Sequence, residues 1–141
     1  MESITIIIIG GNQMAILKYS KQRESIKAFL ITRTDHPTAD TIYMNIREKY
    51  PNISLGTVYR NLALLSDIGE ILKITTGEGP DRFDGNLHPH HHFVCKKCSR
   101  VLDLNMENID YIMEPAGKNF NGQINSYVTY FFGICEDCLK N

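Results

Sequence analysis

Apolar positions between residues 20 and 69 recur at helical spacing in three runs, each opened by a small polar residue. In "YSKQRESIKAFLI" Ser20 is placed to cap, and Ile26, Phe29 and Leu30 share one face. In "HPTADTIYMNIREKYP" Thr38 is the cap, Ile42, Tyr43, Ile46 and Tyr50 follow, and Pro51 ends the run. In "NISLGTVYRNLALLSDIGE" Ser54 caps a stripe of Leu55, Val58, Leu62, Leu65 and Ile68, and Gly69 stops it. The pattern predicts three helices. The third stripe turns to the core, so Thr57, Tyr59, Arg60 and Asn61 lie mostly on other faces. Then "EILKITT" and "DRFD" flank "GEGP", two strand-like runs about a turn, which reads as a hairpin. Three helices and a hairpin match the order of a winged helix-turn-helix, in which the third helix enters the DNA major groove and the hairpin touches the flanking backbone.

The pattern changes near residue 85. "HHFVC" and "RVLDL" read as strands about "KKCS". "NMENIDYIMEPAG" predicts a helix capped by Asn105, with Met106, Ile109, Ile112 and Met113 at helical spacing. "INSYVTYFFGIC" is β-branched and aromatic, a last strand. This β-β-α-β order leaves aromatic strand surface that a small domain cannot cover, and a second copy of the chain would cover it. The expected fold class is α+β. A winged helix-turn-helix DNA-binding domain spans 14–84, a hinge 85–89, and an α/β dimerisation and zinc domain 90–141.

Residues 1–13, "MESITIIIIGGNQ", fit neither half. A secretory signal would begin with Lys or Arg and carry a longer apolar region. Four isoleucines suit an added strand. The alternative we favour is a translated leader. Gly-Gly can be encoded by a ribosome-binding-site sequence, and Met14 comes shortly after as the native start. The intact mass of protein from the native host decides between them.

Composition narrows the classes. Of 141 residues, 43% are hydrophobic and 22% charged, enough to bury a core and too apolar for disorder. No apolar run approaches the ~18 residues of a membrane span. Net charge is −1, which alone speaks against nucleic acid. Its distribution speaks the other way. Residues 15–76 hold nine Lys/Arg against six acids, and residues 77–141 hold six against nine. In the exposed "TVYRN" segment, Arg60 can pair with guanine edges and Asn61 with adenine, while Thr57 and Tyr59 suit phosphate or a thymine methyl. Ser54 and Lys73 join them as candidate contacts to double-stranded operator DNA.

"NLHPHHHFVCKKC", residues 86–98, carries four of the five histidines and two of the four cysteines. The cysteines form two pairs, Cys95/Cys98 and Cys135/Cys138, each C-x-x-C. Two such turns can set four thiolates tetrahedrally around Zn²⁺, with no open position, so the site would be structural. Two disulfides or a redox dithiol are the rivals. Without a signal peptide disulfides are disfavoured, and a redox dithiol needs no second pair. The histidines stay available. In a strand His90 and His92 share a face and His91 takes the other, so His90 and His92 are a ligand pair, with His88 and His91 expected as exposed bystanders. The cluster is internal and broken by proline, unlike a purification tag.

Together "HPTADTIY" (36–43), "SLGTVYRNL" (54–62), "RFD" (82–84), "HHHFVCKKC" (90–98) and "CEDC" (135–138) resemble the ferric uptake regulator family, bacterial metal-dependent DNA-binding repressors. The resemblance covers about residues 18–139 and is strongest to the peroxide-responsive branch. It implies a cytoplasmic homodimer with no membrane association. It also implies a regulatory Fe²⁺ or Mn²⁺ site made by His36, Asp84, His90, His92 and Asp103. The iron-sensing branch typically has Glu where Asp84 and Asp103 stand, and often a histidine in the last strand. The function implied is that of a transcriptional repressor sensing peroxide through Fe-catalysed oxidation of a ligand histidine, His36 or His90. The alternative is an iron-, zinc- or manganese-uptake regulator of the same family without peroxide sensing. An enzyme is not expected. A metallohydrolase would need an open coordination position and a nearby base, and would leave "TVYRN" and the hairpin unexplained. An RNA-binding zinc module would need aromatic stacking surface in a basic setting.

Overall fold

The computed structural model of the chain describes residues 4–9, 13–77 and 79–141, with side chains from residue 17 onward, Glu78 excepted. Strand β1 (Ile4–Ile9) pairs antiparallel with β2 (Gln13–Lys18), Ile4 opposite Lys18 and Ile9 opposite Gln13. The isoleucine run is thus a strand. The expected leader, residues 1–13, falls partly outside the described residues.

Three helices come next: α1 (Lys21–Ile31), α2 (Ala39–Lys49) and α3 (Leu55–Asp67). Their caps are the residues expected. The side chains of Ser20, Thr38 and Ser54 accept from the N–H groups of Arg23, Thr41 and Thr57, satisfying donors that have no partner in the first helical turn. Gly69 ends the third run with φ +78°, a conformation open to glycine without a Cβ clash. The stripes meet in one core of Ile26, Leu30, Ile42, Ile46, Val58, Leu62 and Leu65, joined by Ile53, Ile71 and Phe83. Strands β3 (Leu72–Ile74) and β4 (Arg82–Asp84) pair antiparallel as the expected hairpin, and Phe83 brings β4 into that core.

Just past β4, Gly85 runs against the C-terminal turn of α1. A Cβ there would lie 2.7 Å from Ile31 N and from Leu30 C, backbone atoms that cannot swing aside. Gly85→Ala is expected to destabilise this half by about 1–3 kcal/mol, read as a lowered midpoint in urea unfolding.

The chain divides into two compact units between His88 and Pro89. The second is built on β5 (His91–Cys95), flanked antiparallel by β6 (Val101–Leu104) and parallel by β7 (Tyr130–Gly133). Between β6 and β7 the expected helix from Asn105 is not there. Residues 105–109 are irregular, a 3₁₀ turn covers Asp110–Ile112, and α4 spans only Met113–Gly117. Asn108 Oδ1 accepts from Asp110 N at 2.7 Å, a local turn that competes with helix upstream of it. Helix α5 (Glu136–Leu139) begins directly after Cys135. Among the described residues this unit fully buries few apolar side chains, chiefly Val94, Val101, Cys95 and Cys135. Phe131, Phe132, Val128 and Ile134 stay exposed. No helix among the described residues is long and apolar enough to cross a membrane.

Candidate metal centre

Parallel pairing of β5 with β7 brings the two C-x-x-C turns to the same end of the sheet. Cys95 closes β5 opposite Gly133, and Cys135 lies two residues beyond. The first turn folds back through Ser99, whose N–H donates to Cys95 O at 2.9 Å with φ +64°. Lys96 N donates to Gly133 O at 2.8 Å, tying the turn to β7. The four cysteines are free thiols, and their Sγ atoms all lie within 4.8 Å of one another. Cys98 Sγ and Cys135 Sγ are 3.8 Å apart. A zinc ion with ~2.3 Å bonds to four sulfurs requires S···S edges of about 3.8 Å, so the donor set fits that ion.

Cys95 Sγ accepts N–H bonds from Lys97, Cys98 and Cys135, each at 3.4 Å. The Cys98 amide leads in drawing its thiol down to about 6, against burial. The Cys135 thiol is also lowered, by the Cys138 amide first and by the Arg100 guanidinium. Cys138, hydrogen-bonded to Cys135, is pushed up to about 12. At neutral pH Cys95 is therefore a thiolate and Cys138 a thiol, and a metal must displace the Cys138 proton. Acid restores that proton and, near pH 6, competes at Cys95 as well. Zinc affinity is expected to fall with pH between 8 and 6 by roughly tenfold per unit for each proton displaced, measured by chelator competition.

The oxygen and nitrogen donors form a cluster in each unit. His36 sits in the loop before α2 with φ +51°, a left-handed conformation unusual outside glycine. Strand β4 grips this loop. Arg82 Nη1 donates to His36 O at 3.1 Å, and Phe83 N to Pro37 O at 3.0 Å. His36 Nε2 then lies 3.2 Å from Asp84 Oδ2, both side chains buried. Beside them Asp35 is held below the usual carboxylate range by its hydrogen bonds from Arg33. In the second unit Asp103 stands directly across from His92 in the β5–β6 register. Its Oδ1 is 3.2 Å from His90 Nε2 and 3.5 Å from His92 Nε2. The two rings meet edge to face at 4.3 Å.

His91 corrects one expectation. It does turn to the other face, but it is buried rather than exposed, with Nδ1 bonded to Thr129 Oγ1. His88 is exposed as expected. The helix-capping role of Ser54 is also set: its Oγ accepts from Thr57 N at 3.0 Å and meets Thr57 Oγ1 at 2.9 Å. Arg60 donates to Thr57 Oγ1 from the exposed face of α3, where Tyr59 is half exposed and Asn61 partly buried. On the hairpin Lys73 Nζ lies 3.5 Å from Asp81 Oδ2. Arg82 and Arg100, which hold the two centres, were invisible in the pattern because each reaches a partner far along the chain.

The chain matches the Ferric uptake regulator family over residues 14–131. It is 34% identical over 132 residues to the peroxide-responsive repressor PerR of Staphylococcus epidermidis, across 94% of this chain and 88% of that one. Two solved structures are similar. The Campylobacter jejuni peroxide stress regulator gives a TM-score of 0.72 at 30% identity, over 83% of this chain and 88% of its own. The Helicobacter pylori ferric uptake regulator Fur, described with three functional metal binding sites, gives 0.77 at 26% identity, over 89% and 84%.

Proposed function

The chain belongs to the ferric uptake regulator family, and from that premise we propose that it is a metal-dependent transcriptional repressor that releases its operator when peroxide oxidises a ligand histidine. The observation that carries this reading is the sorting of donors by chemistry. Four sulfurs form one set within the second unit, while the imidazoles pair with carboxylates, His36 with Asp84 and both His90 and His92 with Asp103. The sulfur set suits a permanent Zn²⁺. His36, Asp84, His90, His92 and Asp103, with three nitrogens and two carboxylates, suit Fe²⁺ or Mn²⁺.

The second set is divided along the chain. His36 and Asp84 precede the 85–89 hinge, and His90, His92 and Asp103 come after it. A shared ion would favour the arrangement in which both groups of donors face it, a population shift set by differential affinity. In a homodimer that arrangement fixes the spacing of two α3 helices to match two half-sites on double-stranded DNA. The exposed Phe131 and Phe132 of β7 support self-association, since a second copy would cover them. The free thiols suit a reducing, cytoplasmic setting. Bound Fe²⁺ would supply the one-electron chemistry that turns peroxide into an oxidant. His36 or His90 is the ring that receives the oxygen. An oxidised ring is a poorer donor, so the two donor groups part and repression ends.

The test uses operator fragments selected from random DNA by the Mn²⁺-loaded protein. Peroxide should abolish binding of the Fe²⁺ form, leave the Mn²⁺ form bound, and add oxygen to the His36 or His90 peptide. If the Fe²⁺ form keeps its affinity, the chain is a metal-uptake regulator of the same family. Arg60→Ala is expected to weaken operator binding by about 1–3 kcal/mol if Arg60 reads a base, with zinc content and dimerisation unchanged. Unaltered affinity at the same salt would remove α3 as the reading helix.

A further inference from the structure

The geometry points to Arg100 as a positioning residue of the sulfur centre: its guanidinium holds the Cys135 thiolate and blunts it as a nucleophile, so that the zinc outlasts the oxidant that the histidines read. This rests on the tetrathiolate reading above. Arg100 lies one residue past the left-handed Ser99 that closes the first turn. Its Nη2 donates to Cys135 Sγ at 3.3 Å and to Asp137 Oδ2 at 2.8 Å, so one side chain of the first turn grips two residues of the second. Its buried Nε has no partner among the described residues, so the Nη2 contacts hold the guanidinium.

Charge explains why a cation belongs here. Zinc with four thiolates carries a net charge of −2, and two of the sulfurs belong to buried residues, Cys95 and Cys135. The two buried sulfurs are compensated differently. Cys95 takes three backbone N–H bonds, and Cys135 takes the Cys138 amide together with a side-chain cation, the Arg100 guanidinium. The lysines of the same turn point elsewhere, Lys96 over the Phe132 ring and Lys97 toward Asn141 O.

A charge-assisted N–H···S bond draws electron density from the sulfur lone pair that would otherwise attack. The step it opposes is two-electron oxidation by hydrogen peroxide. Cys135 sulfur attacks one peroxide oxygen, the S–O bond forms as the O–O bond breaks, and hydroxide leaves and takes a proton to become water. The cysteine, oxidised by two electrons, is then a sulfenic acid and the peroxide is reduced. The Cys98 thiolate, 3.8 Å away, can displace the sulfenic oxygen, which departs with a proton as a second water and leaves a disulfide. Two thiolates then remain for zinc, and the ion is lost. Asp137 draws on the same guanidinium, so removing its charge leaves Arg100 to the sulfur.

The full-length zinc-loaded protein, free of iron and manganese, tests this in the parent and in Arg100→Gln, Arg100→Lys and Asp137→Asn. Zinc release is tracked with a colorimetric chelator, with and without hydrogen peroxide, and oxidation of the Cys135 peptide by mass spectrometry. Arg100→Gln should speed peroxide-driven release by roughly tenfold or more, and speed release by chelator alone by less. Arg100→Lys, which keeps the charge, should fall between Arg100→Gln and the parent. Asp137→Asn should be no faster than the parent. Parent-like release from Arg100→Gln overturns the inference. So does rapid release from Asp137→Asn, because the Arg100–Asp137 ion pair would then be the active element. If Arg100→Gln fails to fold, release from Arg100→Lys that is no faster than the parent also overturns it. A parent that binds no zinc overturns the tetrathiolate reading instead.

Discussion

Cys135→Ser is expected to lose zinc and self-association together. Cys135 sits at the junction of β7 and α5, is almost wholly buried, and meets Cys98 across a sulfur–sulfur edge that fits zinc. The second unit has little else to hold it. Its buried apolar residues are few, and its last strand shows Phe131 and Phe132 to solvent. A small domain of this kind draws its folding free energy from the ion, and structural zinc supplies on the order of 10 kcal/mol in comparable small sites. Serine is shorter, does not ionise near neutral pH, and would leave a buried hydroxyl where the Arg100 guanidinium expects a thiolate. Elemental analysis and analytical ultracentrifugation on the same sample read both losses. A stable, zinc-free dimer would show that the sulfur centre is not what organises this unit.

Metal-activated operator binding should collapse in His36→Ala, while the zinc stays. Four regulatory donors would remain, so metal binding should weaken without vanishing. What is lost is the histidine contributed from before the hinge. Asp84 alone would represent that half, and the bias toward the DNA-binding arrangement should fall with it. Affinity for operator in saturating Mn²⁺ is expected to drop at least roughly tenfold, toward the metal-free value. Alanine at φ +51° is itself strained. His36→Asn is therefore the companion, because asparagine accepts that conformation and removes only the imidazole. If either variant, folded and zinc-replete, still gains operator affinity with Mn²⁺ as the parent does, the ion is not shared across the hinge.

Much of this was legible where the determinants are local. Ser20, Thr38 and Ser54 cap the helices they were expected to cap because a cap needs only its own first turn. The Cys pairs were legible because two C-x-x-C turns carry the spacing of a four-sulfur metal site. Determinants that act across the chain were not. Asn105 looked like a cap, yet a turn built on Asn108 claimed the next residues. Alternation gave the side to which His91 turns, but its partner there, Thr129, lies far along the chain. The left-handed backbone of His36 has no signature in "DHPT". It is held by Arg82 and Phe83 of a strand that comes more than forty residues later.

The parallel pairing of β5 and β7 has a consequence in time. Helices α1 to α3 find their partners among neighbours, and local contacts of that kind form quickly. The sheet of the second unit cannot close until residues 130–133 exist to lie beside 92–95. A parallel pair also demands a long crossover, whose closure entropy is lost before any contact rewards it. On an elongating ribosome the helical first unit therefore matures first. The second unit forms later, because its parallel sheet needs β7 and its sulfur set needs Cys135 and Cys138, both made long after β5.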